Sequence, residues 1–299
     1  LRFQSIEGFA VWISPKSRML FMKYTSLLVH VEPGAEADGR LQTACGLAAR
    51  FDAFLIGIGA ANFEMPVLDP TGFAAMDPDL IASERHTLEA ELETCARKFH
   101  AAAAAHNLRA KWYSAIEFPA DTVCRHAHSV DLIIIGRGAS SATSAPRHAI
   151  NPADVLMRAG RPVLVVPPGI NELRLEHAVV AWKDTREARR AVADSRSLLE
   201  LAGEVRVVAI CPDGEAEAVR NEIADVTEYL KRHNIAAAHE MRPVSHERAA
   251  AEILDFAEHT HSDLVVAGAY GHTRLREWVF GGVTHDLLKK SPVCCLLSH

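Results

Sequence analysis

Aromatic side chains are scarce, at 6% of the 299 residues, and no apolar stretch reaches the roughly 18 residues that a helix needs to cross a bilayer. Basic residues are not in excess either: 32 lysines and arginines stand against 38 aspartates and glutamates, for a formal net charge of −6. That balance lacks the positive footprint of a nucleic-acid or anionic-membrane binder. The six cysteines, Cys45, Cys95, Cys124, Cys211, Cys294 and Cys295, form no CxxC pair, and several lie in apolar strand-like runs. They read as buried, reduced thiols of a reducing compartment, which points to a cytoplasmic protein. Cys294 and Cys295 are adjacent on an expected strand, so they face opposite ways and are expected unbridged. The catalytic signatures GxSxG and HExxH are missing, as are the GxxxxGK[ST] and GxGxxG phosphate-binding turns. Residues 1–21 hold no continuous apolar core and no small-residue cleavage site, and they read as a disordered extension ahead of Met22.

What is present is the composition of a globular protein, 49% apolar and 23% charged. At about 150 residues per domain the length predicts two domains. A degenerate repeat says how they are arranged. HSVDLIIIGRG at 128–138 is followed by GRPVLVVPPG at 160–169, and HSDLVVAGAYG at 261–271 is followed by KSPVCCLLSH at 290–299. Asp131 and Gly136 map onto Asp263 and Gly268 at an offset of 132, and Pro162 maps onto Pro292 at 130. Within each copy short apolar runs alternate with longer amphipathic ones, and the strand runs are continuously apolar. That pattern predicts a parallel sheet covered on both faces. Five strands per copy predict two doubly wound α/β domains of flavodoxin-like size in tandem, over 22–169 and 174–299. Helices are expected at 35–50, 80–106, 120–126, 185–201, 216–232 and 246–259, the last with Ser245 as its N-cap. Ligands of such sheets sit outside the carboxyl ends of the strands, where the strand order reverses.

The second copy carries the richest chemistry at that place. Its fourth strand runs into Gly268-x2-Gly271-x9-Gly281-Gly282, and a helix-like segment follows Thr284. Glycines let backbone amides approach an anion closely, and a helix N-terminus adds unpaired donors and partial positive charge. Thr284 can add a hydroxyl. Together these describe a phosphate cradle; the plainer alternative is a long turn that only caps a helix. After the first strand of this copy come Ala181, Trp182 and Asp184, and Asp184 also fits the N-cap of a helix with Glu187 completing a capping-box-like arrangement.

GAYGHTRLREWVFGGVT resembles the Gly-x2-Gly-x9-Gly-[Ser/Thr] signature of nucleotide-binding universal stress proteins, and the two copies together resemble a tandem member of that family. The resemblance implies adenine nucleotide alpha hydrolase-like domains and a nucleotide site lined by Gly268, Gly271, Gly281, Gly282, Val283 and Thr284. It gives Asp184 an adenine-facing role, with Ala181 and Trp182 beside the base and Ile210 and Cys211 as a further wall. The ligand it implies is ATP, with Mg2+ as its companion ion. Gly282 departs from the family pattern, because the Ser or Thr hydroxyl usual there is absent while the backbone N–H remains. The family's fifth strands commonly pair, so residues 163–166 and 293–297 are expected edge to edge as an intramolecular pseudo-dimer, alongside a homodimer as the other mode of association.

In the first copy Asn151 and Pro152 stand where the second has Gly281 and Gly282, Asp154 replaces Thr284, Ala139 replaces Gly271, and Glu32 roughly matches Asp184. Proline removes an amide and Asp154 adds a negative charge, which together argue against phosphate binding there. This copy is expected to be a structural or regulatory partner. The His126/His128 and His259/His261 pairs supply two ligands each with no third at metal spacing, and histidines near a helix C-terminus interact favourably with its dipole. Arg274 and Arg276 could pair with phosphates or with Glu277. The leading expectation is a stress-response nucleotide-binding module whose output is a signal. A slow ATPase and a nucleotide-free scaffold stay open beside it.

Overall fold

The computed structural model describes residues 23–63, 78–137, 146–211, 216–271 and 282–299. The expected extension at 1–21 therefore lies outside the described residues, as do Gly281, Arg274, Arg276 and the serine-rich segment before Pro146.

The first half runs β1 (Ser26–His30), α1 (Ala35–Phe51), β2 (Phe54–Ala60), α2 (Pro78–Ala105), β3 (Ala110–Ala115), α3 (Pro119–His126), β4 (Leu132–Gly136), α4 (Pro152–Arg158) and β5 (Val163–Val166). The second half repeats the order: β6 (His177–Trp182), α5 (Arg186–Leu199), β7 (Glu204–Cys211), α6 (Ala216–Arg232), β8 (Ala237–Pro243), α7 (Ala249–His259), β9 (Leu264–Gly268), α8 (Gly282–Lys290) and β10 (Cys294–Ser298). All ten strands lie in one sheet, ordered β3-β2-β1-β4-β5-β10-β9-β6-β7-β8. Every neighbouring pair within a half is parallel, and the order reverses beside β1 and beside β6. The α/β class and two doubly wound five-stranded units follow directly.

The halves join through β5 and β10, which pair antiparallel with Leu164 opposite Leu296. That pairing leaves neither central strand with an open edge. Side chains reinforce the junction. Arg137, just past β4, donates to the Lys289 and Ser291 carbonyls at the C-terminal end of α8. Arg50 donates to the Leu173 carbonyl at 2.9 Å, and the Tyr24 hydroxyl, just ahead of β1, donates to the Asp194 carbonyl of α5 at 2.5 Å.

Strand alternation divides the core into two layers. Leu27, Val29, Val180, Val266 and Cys294 pack under α1, α2, α5 and α6, whereas Leu28, Ile133, Val179, Val265 and Cys295 pack under α3, α4, α7 and α8. Cys294 and Cys295 thus point to opposite faces, and all six cysteines are free. The repeated aspartates have a shared structural task. Asp131 accepts from the Thr25 and Ser26 amides (2.7 and 3.0 Å), and Asp263 accepts from the Glu176 amide (2.9 Å), so each ties the start of its fourth strand to the start of the first.

One local expectation needs correction, and one helix was not expected. The 246–259 helix opens as a single tighter turn over His246–Arg248, and the α-helix begins at Ala249 with Arg248 at the cap. Ser245 gives that turn its carbonyl, not a capping hydroxyl. Helix α4 carries no expectation from the sequence. Asn151 caps it, accepting from the Ala153 amide at 3.1 Å, and Pro152 takes the first helical position, where no amide partner is needed.

Among the described residues, no helix is long and apolar enough to cross a membrane.

Candidate functional site

The reversal point of the second half lies between the carboxyl ends of β6 and β9, and three segments converge on it. The first is the start of α5. Thr185, not Asp184, caps this helix, its hydroxyl accepting from the Ala188 amide at 3.2 Å. Thr185 has the extended backbone of a cap, whereas Asp184 is one residue too early for it. Asp184 instead accepts two bonds from Arg189, at 2.8 and 2.7 Å, and this bidentate partner holds its carboxyl below the usual carboxylate range. An adenine contact by Asp184 has to share the carboxylate with that guanidinium.

The second segment follows β9. A Cβ added to Gly268 would lie 2.4 Å from the Ala188 nitrogen, so glycine is what lets the first turn of α5 press against the strand end. Tyr270 then takes a left-handed turn, at φ 56. No sequence signal marks this residue, because tyrosine rarely adopts that region. The third segment is α8. Thr284 is buried and its hydroxyl accepts from the Tyr270 amide at 3.4 Å, which fastens the first turn of α8 to the loop after β9. Gly282, the first residue of α8, is exposed, and a Cβ placed on it would meet none of the described residues within 4 Å. The amides of the opening turn have no partners within their own helix and carry its partial positive charge.

The structure brings Gly268, Gly271, Val283 and Thr284 to this crevice, with Gly282 at its mouth; Gly281 lies outside the described residues. Ala181 and Trp182 both end β6, but their side chains enter opposite layers, so they do not form one wall. The Trp182 indole is 7% exposed and its Nε1 has no acceptor among the described residues. Ile210 is half-buried and Cys211 buried at the end of β7.

Glu187 escaped the sequence reading, where it served only as a capping partner. Its side chain is 1% exposed, and Oε1 accepts from the neighbouring Arg186 at 2.5 Å. Oε2 has no hydrogen-bond partner among the described residues, and a Cβ on Gly271 would sit 3.5 Å from it. Burial pushes the Glu187 carboxyl up, and Arg186, the residue's own amide and the Thr185 hydroxyl together more than offset this, leaving it below the usual range.

The matching point of the first half is filled by its own side chains. Arg40 of α1, 4% exposed, donates to the His30 carbonyl and to Glu32 Oε1, both at 2.9 Å. Its guanidinium lies across the end of β4, where a Cβ on Gly136 would be 2.0 Å from Nη1. His30 is fully buried with both ring nitrogens unbonded, and burial lowers its pKa to about 4. His148 beside it bonds the Ala60 carbonyl (2.9 Å) and Glu91 (2.8 Å). Burial works to raise Glu32, but Arg40 outweighs it and holds the carboxyl down. An arginine–glutamate pair therefore occupies the first crevice, while glycines and helix amides line the second.

Residues 175–299 match the model of the Universal stress protein family. The whole chain also has likenesses among solved structures. A universal stress protein from Archaeoglobus fulgidus DSM 4304 superposes with a TM-score of 0.68 at 17% identity, covering 91% of this chain and 95% of that one. A functionally unknown protein from Pseudomonas aeruginosa PAO1 superposes with a TM-score of 0.58 at 15% identity, covering 92% of each chain. At such identities the likeness speaks for the fold alone. No curated protein matches the chain.

Proposed function

We propose that residues 174–299 form the nucleotide-binding unit of a stress-response module, taking an adenine nucleotide, ATP with Mg2+, at the crevice between β6 and β9. Residues 22–169 are its partner unit, held as an intramolecular pseudo-dimer, and the output is a change of state rather than turnover. The observation that carries this reading is the opening turn of α8. That turn is anchored to the Tyr270 turn by Thr284, at the place where open parallel sheets take ligands, with none of the described residues within 4 Å of a Cβ on Gly282. The motif resemblance supports an adenine nucleotide as the ligand, and the family match over 175–299 supports the unit that carries the motif; geometry alone names no ligand.

Calorimetric titration of the full chain with MgATP tests it. The expected result is a saturable heat with one nucleotide per chain, together with adenine nucleotide detected by mass spectrometry of natively purified protein. No heat up to millimolar nucleotide overturns the reading and leaves a duplicated scaffold.

A further inference from the structure

The unexplained group in the second crevice is Glu187. Buried polar atoms without partners are uncommon in native proteins, and a bare carboxylate oxygen is among the costlier ones. Glu187 Oε2 is such an atom. It cannot retreat easily, because it sits in the first turn of α5, whose backbone is in contact with Gly268. Oε1 is already committed to Arg186, which leaves Oε2 turned toward Gly271 without a hydrogen-bond partner among the described residues.

A triphosphate entering this crevice alone meets that negative charge. A divalent cation carried with the phosphates reverses the sign of the encounter. Mg2+ is commonly held by one or two carboxylates together with phosphate oxygens and water, not by an all-protein cage. The surroundings fit that division: among the described residues no three histidine, cysteine, aspartate or glutamate side chains gather as a metal site. The nucleotide has to supply most of the ligands.

We infer that Glu187 Oε2 is the protein's ligand to the divalent cation of a bound metal–nucleotide complex, so that this site accepts the metal complex and rejects the free nucleotide. The inference rests on the nucleotide reading above and adds to it the form of the ligand and the residue that selects it. Glu187 forms an inner-sphere oxygen–metal bond; no bond in the nucleotide breaks.

ATP affinity measured by calorimetry in excess Mg2+ and in EDTA tests it, on the full chain and on Glu187→Gln, which keeps the side-chain shape. The wild-type protein is expected to bind at least tenfold more tightly with Mg2+. Glu187→Gln is expected to lose most of that ratio, and to bind metal-free ATP at least as well as wild type does. With Mn2+ and ATP, electron paramagnetic resonance should show immobilised Mn2+ on the wild-type complex and a weaker signal for the variant. Wild-type affinity that is equal with Mg2+ and EDTA overturns the cation ligand without any variant, and leaves the nucleotide reading intact. A Mg2+ dependence unchanged in Glu187→Gln also overturns it. Absence of ATP binding in every arm overturns both readings.

Discussion

The two halves share one topology and use the point where their strand order reverses differently. Where β1 and β4 part, the crevice holds the Arg40 guanidinium, bonded to Glu32 and to the His30 carbonyl. Where β6 and β9 part, the equivalent strand end is approached by the backbone of α5, and the first turn of α8 faces the loop through Thr284. A duplicated α/β unit can use its reversal point in either way. Filled with an internal ion pair the crevice belongs to the core, and lined with amides and glycine it is left to a ligand. The same helix start serves both ends: Asn151-Pro152 opens α4 as a well-capped, amide-poor turn, and Gly282 opens α8 as an amide-rich one.

The largest expected effect comes from emptying the filled crevice. Arg40→Met removes two buried bonds and leaves Glu32 unpaired at 20% exposure. Breaking a buried pair typically costs about 3–5 kcal/mol, and the lower end is expected here because Glu32 keeps some contact with water. Urea denaturation checks this, and a loss under 1 kcal/mol would show that the ion pair does not define the first crevice. Next comes a matched pair of substitutions. Gly268→Ala drives a methyl into the α5 backbone, whereas Gly136→Ala meets only the end of the Arg40 side chain. About 2–3 kcal/mol is expected for the first and about 1 kcal/mol for the second, from the usual cost of overpacking. Equal losses would break the distinction between a crevice closed by backbone and one closed by a side chain.

The third test is pH. His30 is buried and neutral, with a pKa lowered from 6.5 to about 4 by burial, and with Glu32, Arg40 and His148 acting on its charge. The unfolded chain takes up this proton below about 6.5 while the folded chain does not, so the stability is present above that pH and is lost as pH falls toward 4. At pH 5 the loss from this one group is about 2 kcal/mol. Glu32 beside it is held below the usual carboxylate range by Arg40 against the upward push of burial. The decline between pH 7 and pH 5 should therefore shrink by that amount in His30→Leu, measured by urea denaturation at both pH values. An unchanged decline would show that His30 is not the proton-sensitive group of the first crevice.

Much of this architecture was legible because it is written in short-range patterns. The apolar runs at 132–135, 163–166, 264–267 and 294–297 could only be central strands, and their repetition fixed the duplication. Helix α4 was hidden because Asn151-Pro152 looked like eroded glycines, although the same two residues are a cap and a first helical position. Thr185 was passed over as the cap of α5 in favour of Asp184, because both residue types cap well and only backbone geometry separates them. The occupants of the crevices were illegible for a different reason. Arg40 reaches Gly136 across about a hundred residues of chain, and Glu187 reaches Gly271 across a similar span, so neither leaves a local signature.

The smallest effect is the one that most sharpens the comparison. Gly282 departs from the motif by lacking a hydroxyl, and none of the described residues comes within 4 Å of a Cβ there, so Gly282→Ser adds a donor without displacing any of them. One net hydrogen bond contributes about 0.5–1.5 kcal/mol, which is a roughly two- to tenfold gain in ATP affinity by calorimetry, with little change in stability. The counterpart in the first half, Pro152→Ser, restores an amide and adds the same hydroxyl to the start of α4. It is expected to confer no nucleotide binding, because the Arg40 guanidinium already lies across the end of β4. If Pro152→Ser bound ATP, the missing amide and not the ion pair would be what separates the halves. If Gly282→Ser failed to tighten binding, the opening turn of α8 would not be where the phosphates sit.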